Sequence, residues 1–123
     1  MANILLVDDD IPLLEAQGEF LRRAGHTVST AANGKKAMDL VAQNDFDLVI
    51  TDLIMPEKEG LETIAELQRK APKIKIIATS GGAVRIDAKD SLSMARMFGA
   101  SLTLAKPFSG QTLIEAISQV LSL

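Results

Sequence analysis

The 123-residue sequence contains no cysteine, no tryptophan and no tyrosine, and only four phenylalanines. The absence of cysteine excludes disulfides, thiolate metal sites and thiol nucleophiles. It also agrees with a reducing compartment, so we expect a cytoplasmic location. The shortage of aromatic rings disfavours base-stacking platforms and aromatic ligand cages. The core must therefore be built mainly from small aliphatic side chains.

Excess positive charge and long apolar runs are also missing. The formal net charge is −3, which does not supply the broad basic surface that neutralises nucleic-acid phosphates, so we expect no direct nucleic-acid binding. The first apolar run, at 4–7, has no basic flank and is far shorter than a signal-peptide core or a membrane span. We therefore expect no membrane insertion and interpret this run as a buried strand.

Short apolar runs alternate with segments of helical spacing along the chain. The runs at 48–50 and 74–78 are almost continuously apolar, which is typical of parallel strands covered by helices on both faces. The first helix places Leu13, Leu14, Phe20 and Leu21 at helical spacing. Strands are predicted at 4–7, 27–30, 48–50, 74–78 and 102–105, and further helices at 35–43, 61–69, 90–98 and 111–121.

Local signals at the helix ends support this pattern. Asp10 is a candidate N-cap with Pro12 in the first turn and Gly25 beyond the end, and Ser109 is a candidate cap for the last helix. Five βα alternations predict a doubly wound α/β fold of the (βα)5, flavodoxin-like type, with a five-stranded parallel sheet and helices on both faces. We expect one domain over residues 1–123.

Polar residues follow the predicted strands at the points where the strands end. Asp8 and Asp9 follow the first strand, Asp52 the third, Thr79-Ser80 the fourth and Lys106 the fifth. The carboxyl ends of parallel strands meet at one edge, so these side chains should converge. Carboxylates drawn together repel one another, and a hard cation or a lysine must compensate. The neighbouring Asp10 is interpreted as a helix-start acid and His26 as structural or solvated.

Four short motifs carry a family resemblance: Val7-Asp8-Asp9, Thr51-Asp52-Leu53-Ile54-Met55-Pro56 followed by Gly60, Ser80-Gly81, and Lys106-Pro107-Phe108. Their order and spacing resemble the response-regulator receiver family, to which the chemotaxis regulator belongs, over essentially the whole chain. The resemblance implies a free-standing receiver domain of a two-component system, with no output domain.

The resemblance also implies the roles of the acidic residues. Asp52 is expected to be the phosphoacceptor. Direct ligation of Mg²⁺, with Mn²⁺ as an alternative ion, is assigned to Asp9, Asp52 and the backbone carbonyl of Ile54, and a water-mediated role to Asp8. Because the Ile54 ligand is main chain, its apolar side chain does not forbid metal binding.

Lys106 and Ser80 complete the expected catalytic set. The Lys106 ammonium suits pairing with a carboxylate or phosphoryl oxygen, and a cis Lys106–Pro107 bond is expected from the resemblance. Ser80, rather than Thr79, is expected to donate to the phosphoryl group. The chain would not be a conventional enzyme but would catalyse its own phosphorylation and dephosphorylation. Its expected partners are a sensor histidine kinase or phosphotransfer protein and a downstream protein target, and we expect a monomer or weak dimer.

Three features depart from the family pattern. Thr103 occupies the position where many members carry an aromatic switch residue, and the connection at 81–89 is long for an α/β unit. Ile54 and Gly82 offer no acid or amide to orient an attacking water. We therefore expect slow self-dephosphorylation.

Two alternatives remain. Asp8-Asp9-Asp10 matches the Asp-x-Asp pattern of small haloacid-dehalogenase-like phosphatases, with Asp8 as nucleophile, although Pro12 and the short chain disfavour them. The second is a receiver-like docking module that is never phosphorylated. It is disfavoured by four intact residues: Asp9, Asp52, Ser80 and Lys106.

Overall fold

A computed structural model describes residues 2–52, 59–80 and 99–122. The predicted helix at 90–98 and the connection at 81–89 lie outside the described residues. The described strands are β1 (Asn3–Val7), β2 (Thr27–Ala31), β3 (Leu48–Asp52), β4 (Lys75–Ser80) and β5 (Leu102–Ala105). The described helices are α1 (Ile11–Arg23), α2 (Gly34–Gln43), α3 (Glu59–Lys70) and α4 (Gly110–Leu121).

The five strands form one parallel sheet in the order β2-β1-β3-β4-β5. This arrangement confirms the predicted doubly wound α/β fold. β1 and β3 are central strands, and all of β3 is buried, including its polar residues Thr51 and Asp52. Since every strand runs in the same direction, the carboxyl ends of all five lie along one edge of the sheet.

Two apolar clusters cover the two faces of the sheet. Alternate residues of β1 point to opposite faces, so Leu5 belongs to one cluster and Ile4 to the other. Ile64 of α3 lies in the Leu5 cluster, while Leu14 of α1 and Leu113 of α4 lie in the Ile4 cluster. The helices α2 and α3 therefore pack on one face, and α1 and α4 on the other.

The predicted caps are confirmed. The Asp10 carboxylate accepts a hydrogen bond from the Leu13 backbone N–H at 3.2 Å, and the Ser109 hydroxyl accepts one from the Thr112 N–H at 3.1 Å. Gly25 lies beyond α1 with a φ of 100°, a conformation that costs glycine little. The start of α2 was predicted one residue late, because the cap there is Asn33, whose side chain accepts from the Lys36 N–H at 2.8 Å.

Two side chains outside the core complete the picture of α1. Phe20, predicted on the apolar face of the helix, is 42% exposed, and its ring lies against Gly110 at the start of α4. His26 follows the helix, and its Nδ1 accepts a hydrogen bond from the Ala2 N–H at 3.3 Å, which fits the predicted structural role. None of the helices in the described ranges is long and apolar enough to cross a membrane.

Candidate functional site

The carboxyl edge of the sheet brings the predicted acidic residues and the lysine together. Asp8 directly follows β1, Asp52 is the last residue of β3, and Lys106 directly follows β5. Asp52 is level with Thr79 of β4, and Ser80 is level with Ala105 of β5. The parallel register therefore aligns four segments that are far apart in the sequence.

Lys106 links the two buried carboxylates. Its Nζ donates to Asp8 Oδ2 at 2.6 Å and to Asp52 Oδ2 at 3.1 Å. The Asp8 and Asp52 side chains are 7% and 9% exposed, and that of Lys106 is 22% exposed. The Lys106–Pro107 peptide bond is cis, as predicted. Burial of a carboxylate is unfavourable without compensating charge, so the Lys106 ammonium stabilises the ionised forms of Asp8 and Asp52.

Asp8 is held from two sides. Besides the Lys106 contact to Oδ2, its Oδ1 accepts a hydrogen bond from the Asp10 backbone N–H at 3.0 Å. This local Asx turn at the entrance to α1 was not predicted, although an Asp two residues before a helix N-cap is a recognisable signal for it. Asp9 is exposed, so its carboxylate faces the solvent.

The environment of the cluster raises the pKa of two of its groups, Asp9 and Lys106. Desolvation, followed by the interactions with Asp8 and then the charge of Asp52, raises the pKa of Asp9 above its usual 3.8. Burial alone would lower the pKa of Lys106, but its contacts with Asp8 and Asp52 outweigh this effect and raise it above 10.5. An additional positive charge near Asp9 is therefore favourable, and the Lys106 ammonium keeps its proton at neutral pH.

The donor set fits a hard divalent cation. Single carboxylate oxygens of Asp8, Asp9 and Asp52 lie within 4.8 Å of one another. Octahedral Mg²⁺, with bonds of about 2.1 Å, places its ligand oxygens roughly 3 to 4 Å apart. The three carboxylate oxygens would therefore have to move only slightly closer together to surround such an ion.

The remaining predicted site residues are only partly described. Ser80 ends β4, but its side chain and Ile54 lie outside the part of the chain that the structure describes, so their roles stay predictions. Thr103 lies in β5, level with Ala78, and is half-buried.

The sequence comparisons agree with this geometry. The family model described as the response regulator receiver domain matches residues 4–118. The chain is 32% identical over 121 residues to the DNA-binding transcriptional regulator NtrC of Azospirillum brasilense. It is 35% identical over 121 residues to the transcriptional regulatory protein CpxR homolog of Haemophilus influenzae. These alignments cover 98% of this chain but 24% and 51% of the two relatives, so the chain spans about a quarter of one relative and about half of the other.

Solved structures show the same similarity. A response regulator receiver domain protein from Clostridium thermocellum superposes with a TM-score of 0.86 at 28% identity, covering 99% of this chain and 95% of that one. A CheY-like receiver domain protein from Methanospirillum hungatei superposes with a TM-score of 0.87 at 27% identity, covering 99% and 94%.

Proposed function

This chain belongs to the response regulator receiver domain family, and we propose that it accepts a phosphoryl group on Asp52 and so switches its contacts with other proteins. The observation that carries the proposal is the strand-end cluster, in which Lys106 bonds Asp52 at 3.1 Å and Asp8 at 2.6 Å beside the exposed Asp9. Two of these carboxylates, those of Asp8 and Asp52, are buried at the carboxyl edge of the sheet. Such a concentration of charge is typical of a functional site.

The chemistry that we propose is nucleophilic. An Asp52 carboxylate oxygen attacks the phosphorus of a phosphohistidine, a P–O bond forms, the P–N bond breaks, and the leaving imidazole takes up a proton. Mg²⁺, with Asp9 and Asp52 as side-chain ligands, Asp8 through water and the Ile54 carbonyl as third ligand, would supply charge neutralisation for the phosphoryl oxygens.

Lys106 has two roles in this proposal. Before transfer its ammonium neutralises and orients the Asp52 carboxylate. After transfer Asp52 no longer carries a carboxylate charge, and the ammonium pairs with a phosphoryl oxygen instead. The Ser80 hydroxyl donates to another phosphoryl oxygen, which biases a two-state equilibrium of the surrounding segments. The phosphodonor is a sensor histidine kinase or phosphotransfer protein, and the target is a protein, both reached in the cytoplasm.

The two rival functions make different predictions. The family match disfavours the phosphatase, which would be labelled on Asp8 and would turn over added phosphate esters. The docking module would never be labelled. Incubation with Mg²⁺ and a small phosphodonor such as acetyl phosphate, followed by intact-protein mass spectrometry, separates all three.

We expect one phosphoryl adduct, mapped to Asp52 by peptide analysis. Asp52→Asn should abolish the adduct, while Asp39→Asn, which removes an exposed carboxylate from α2, should leave it unchanged. An adduct that persists in Asp52→Asn and maps to Asp8 would favour the phosphatase. No adduct at saturating donor and Mg²⁺, in a protein whose melting curve shows that it is folded, would overturn the proposal.

A further inference from the structure

A groove of about 780 Å³ lies at the amino-terminal edge of the sheet, opposite the phosphoacceptor site. It lies where α2 and α3 end and where β3 and β4 begin. The strand β3 connects the two edges. It begins at Leu48, directly after the groove residue Asp47, and ends at Asp52 in the phosphoacceptor site. At about 3.3 Å per residue, they are separated by about 13 Å of strand. A molecule in the groove would therefore leave Asp52 accessible.

The floor of the groove is apolar. Met38 and Val41 of α2 and Ile74 before β4 pack against the core but are only partly buried, so each keeps some surface for a ligand. Leu121 at the end of α4, a helix on the opposite face of the sheet, is 37% exposed and also lines the groove. Apolar surface left in a concave site is the usual anchor for a partner's side chain.

The rim of the groove is basic. Lys70, Lys73 and Lys75 line it, and residues 69–75 read Arg-Lys-Ala-Pro-Lys-Ile-Lys, with four positive charges and no negative one in a chain of net charge −3. Lys70 partly offsets the C-terminal dipole of α3 and reaches Glu66 only at 4.0 Å. Within the described ranges, Lys73 and Lys75 form no ion pair, so their charges remain available to a ligand.

Two acids, Asp45 and Asp47, also line the groove, so the three lysines leave its lining with an excess of one positive charge. The Asp47 carboxylate accepts a hydrogen bond from the Asn3 backbone N–H at 2.7 Å, and the Asn3 side chain donates to the Asp45 carbonyl at 2.7 Å. These contacts fix the Asp47 carboxylate and the Asp45 backbone at the start of β1. Lys70 ends α3, Lys73 lies in the connection to β4, and Lys75 begins β4, where its backbone N–H donates to the Asp47 carbonyl at 3.3 Å.

We propose that this groove is a docking site for an acidic segment of a partner protein, with an apolar side chain as its anchor. The apolar floor accepts the anchor, and Lys73 and Lys75 pair with flanking carboxylates. Charge complementarity selects this occupant over a neutral or basic segment. The proposal does not depend on phosphorylation of Asp52, because the groove and the site lie at opposite edges of the sheet.

The test uses fluorescence anisotropy with a short fluorescein-labelled peptide of Glu, Asp and Leu. Two companion peptides carry Ser in place of Leu, or Lys in place of the acids. We expect binding of the first peptide alone, weakened by added salt. Lys73→Glu/Lys75→Glu should weaken it about tenfold or more, and the milder Lys73→Glu should weaken it detectably if the double variant is unstable. Lys35→Glu/Lys36→Glu, the same charge change on α2, should leave binding within about twofold.

Several results would overturn the proposal. Equal weakening by both double variants would show attraction to net charge only, and equal binding of the Ser peptide would show that the apolar floor is not used. Lysine-dependent binding to phosphatidylserine vesicles without peptide binding would assign the surface to lipid. Self-association abolished by Lys73→Glu would assign it to a second copy. Labelling of Asp52 should be normal in every variant, so a failure here is distinguishable from a failure of the proposed function.

Discussion

Removal of the Lys106 charge tests the electrostatic reasoning about the site most directly. In Lys106→Met the Asp8 and Asp52 side chains, 7% and 9% exposed, lose the ammonium that bonds both of them. Breaking a buried ion pair by removing one partner costs about 3–5 kcal/mol. Lys106 is itself 22% exposed at an open edge, so solvent reduces the loss, and we expect about 2–3 kcal/mol. That is a large part of the roughly 5–15 kcal/mol that stabilises a domain.

The assay is urea unfolding in Mg²⁺-free buffer. Because the chain has no tryptophan or tyrosine, far-ultraviolet circular dichroism of the helices is the suitable signal. The midpoint should fall while the m-value stays constant. Lys36→Met, which removes an exposed lysine from α2, should change the unfolding free energy by less than about 0.5 kcal/mol. In an Asp8→Asn background, Lys106→Met should lower the unfolding free energy clearly less, because only one of the two carboxylates that Lys106 bonds still carries a charge.

The raised pKa of Lys106 also predicts how the difference in unfolding free energy between the wild type and Lys106→Met depends on pH. The pKa of Lys106 is raised above 10.5 in the folded protein, so its contribution is fully present below 10.5 and is lost as the pH rises through the higher folded value. The gap between the wild type and Lys106→Met should therefore be constant from neutral pH to about pH 10 and narrow above it. A Lys106→Met protein as stable as Lys36→Met at neutral pH would refute the reasoning.

Three further predictions concern other positions. A Cβ on Gly110 would lie 2.5 Å from the Phe20 ring, so Gly110→Ala should cost about 1 kcal/mol in urea unfolding but little or nothing in a Phe20→Ala background; equal costs would contradict the contact. Gly99 has a φ of 85°, and a Cβ there would lie 2.7 Å from a neighbouring side chain, so Gly99→Ala should lower the free energy of unfolding by about 2 kcal/mol. The control Gly18→Ala, inside α1, should be neutral or stabilising by up to about 1 kcal/mol. Similar melting points for the two variants would argue against a conformational cause. Because the pKa of Asp9 is raised above 3.8, protons should compete with Mg²⁺ as the pH falls through that raised value. Calorimetric titrations should therefore show Mg²⁺ binding that weakens as the pH is lowered, and pH-independent binding would exclude Asp9 as a ligand.

The fold could be predicted because its signals are local. Short apolar runs mark the buried strands, and the caps at Asp10 and Ser109 are set by residues three positions apart. Errors occurred where the local signal was ambiguous. Gly34 is a poor helix former and hid the start of α2. Thr51 and Asp52 are polar, so β3 was predicted to end at Ile50, although neighbouring elements bury both residues.

The candidate site was predictable only in part. Strand-end placement brings Asp8, Asp52 and Lys106 to one edge, but the sequence alone does not show that a single ammonium bonds both carboxylates across separations of 98 and 54 residues. That contact depends on the register of three strands, which is set by the whole sheet. The roles of Ser80 and Ile54 came from the family resemblance and stay predictions. The basic groove was not predicted, because its apolar floor comes from side chains that are distant in sequence.

The bond from Lys106 to two carboxylates has a consequence for ion choice. Three carboxylates and one ammonium sum to a charge of −2, which a single divalent cation neutralises completely and a monovalent cation does not. If Asp52 is phosphorylated as proposed, a singly charged carboxylate is replaced by an acyl phosphate of about −2, and one divalent cation would no longer neutralise the cluster completely. With Lys106 in place, the charge of the resting cluster therefore matches a divalent cation better than a monovalent one.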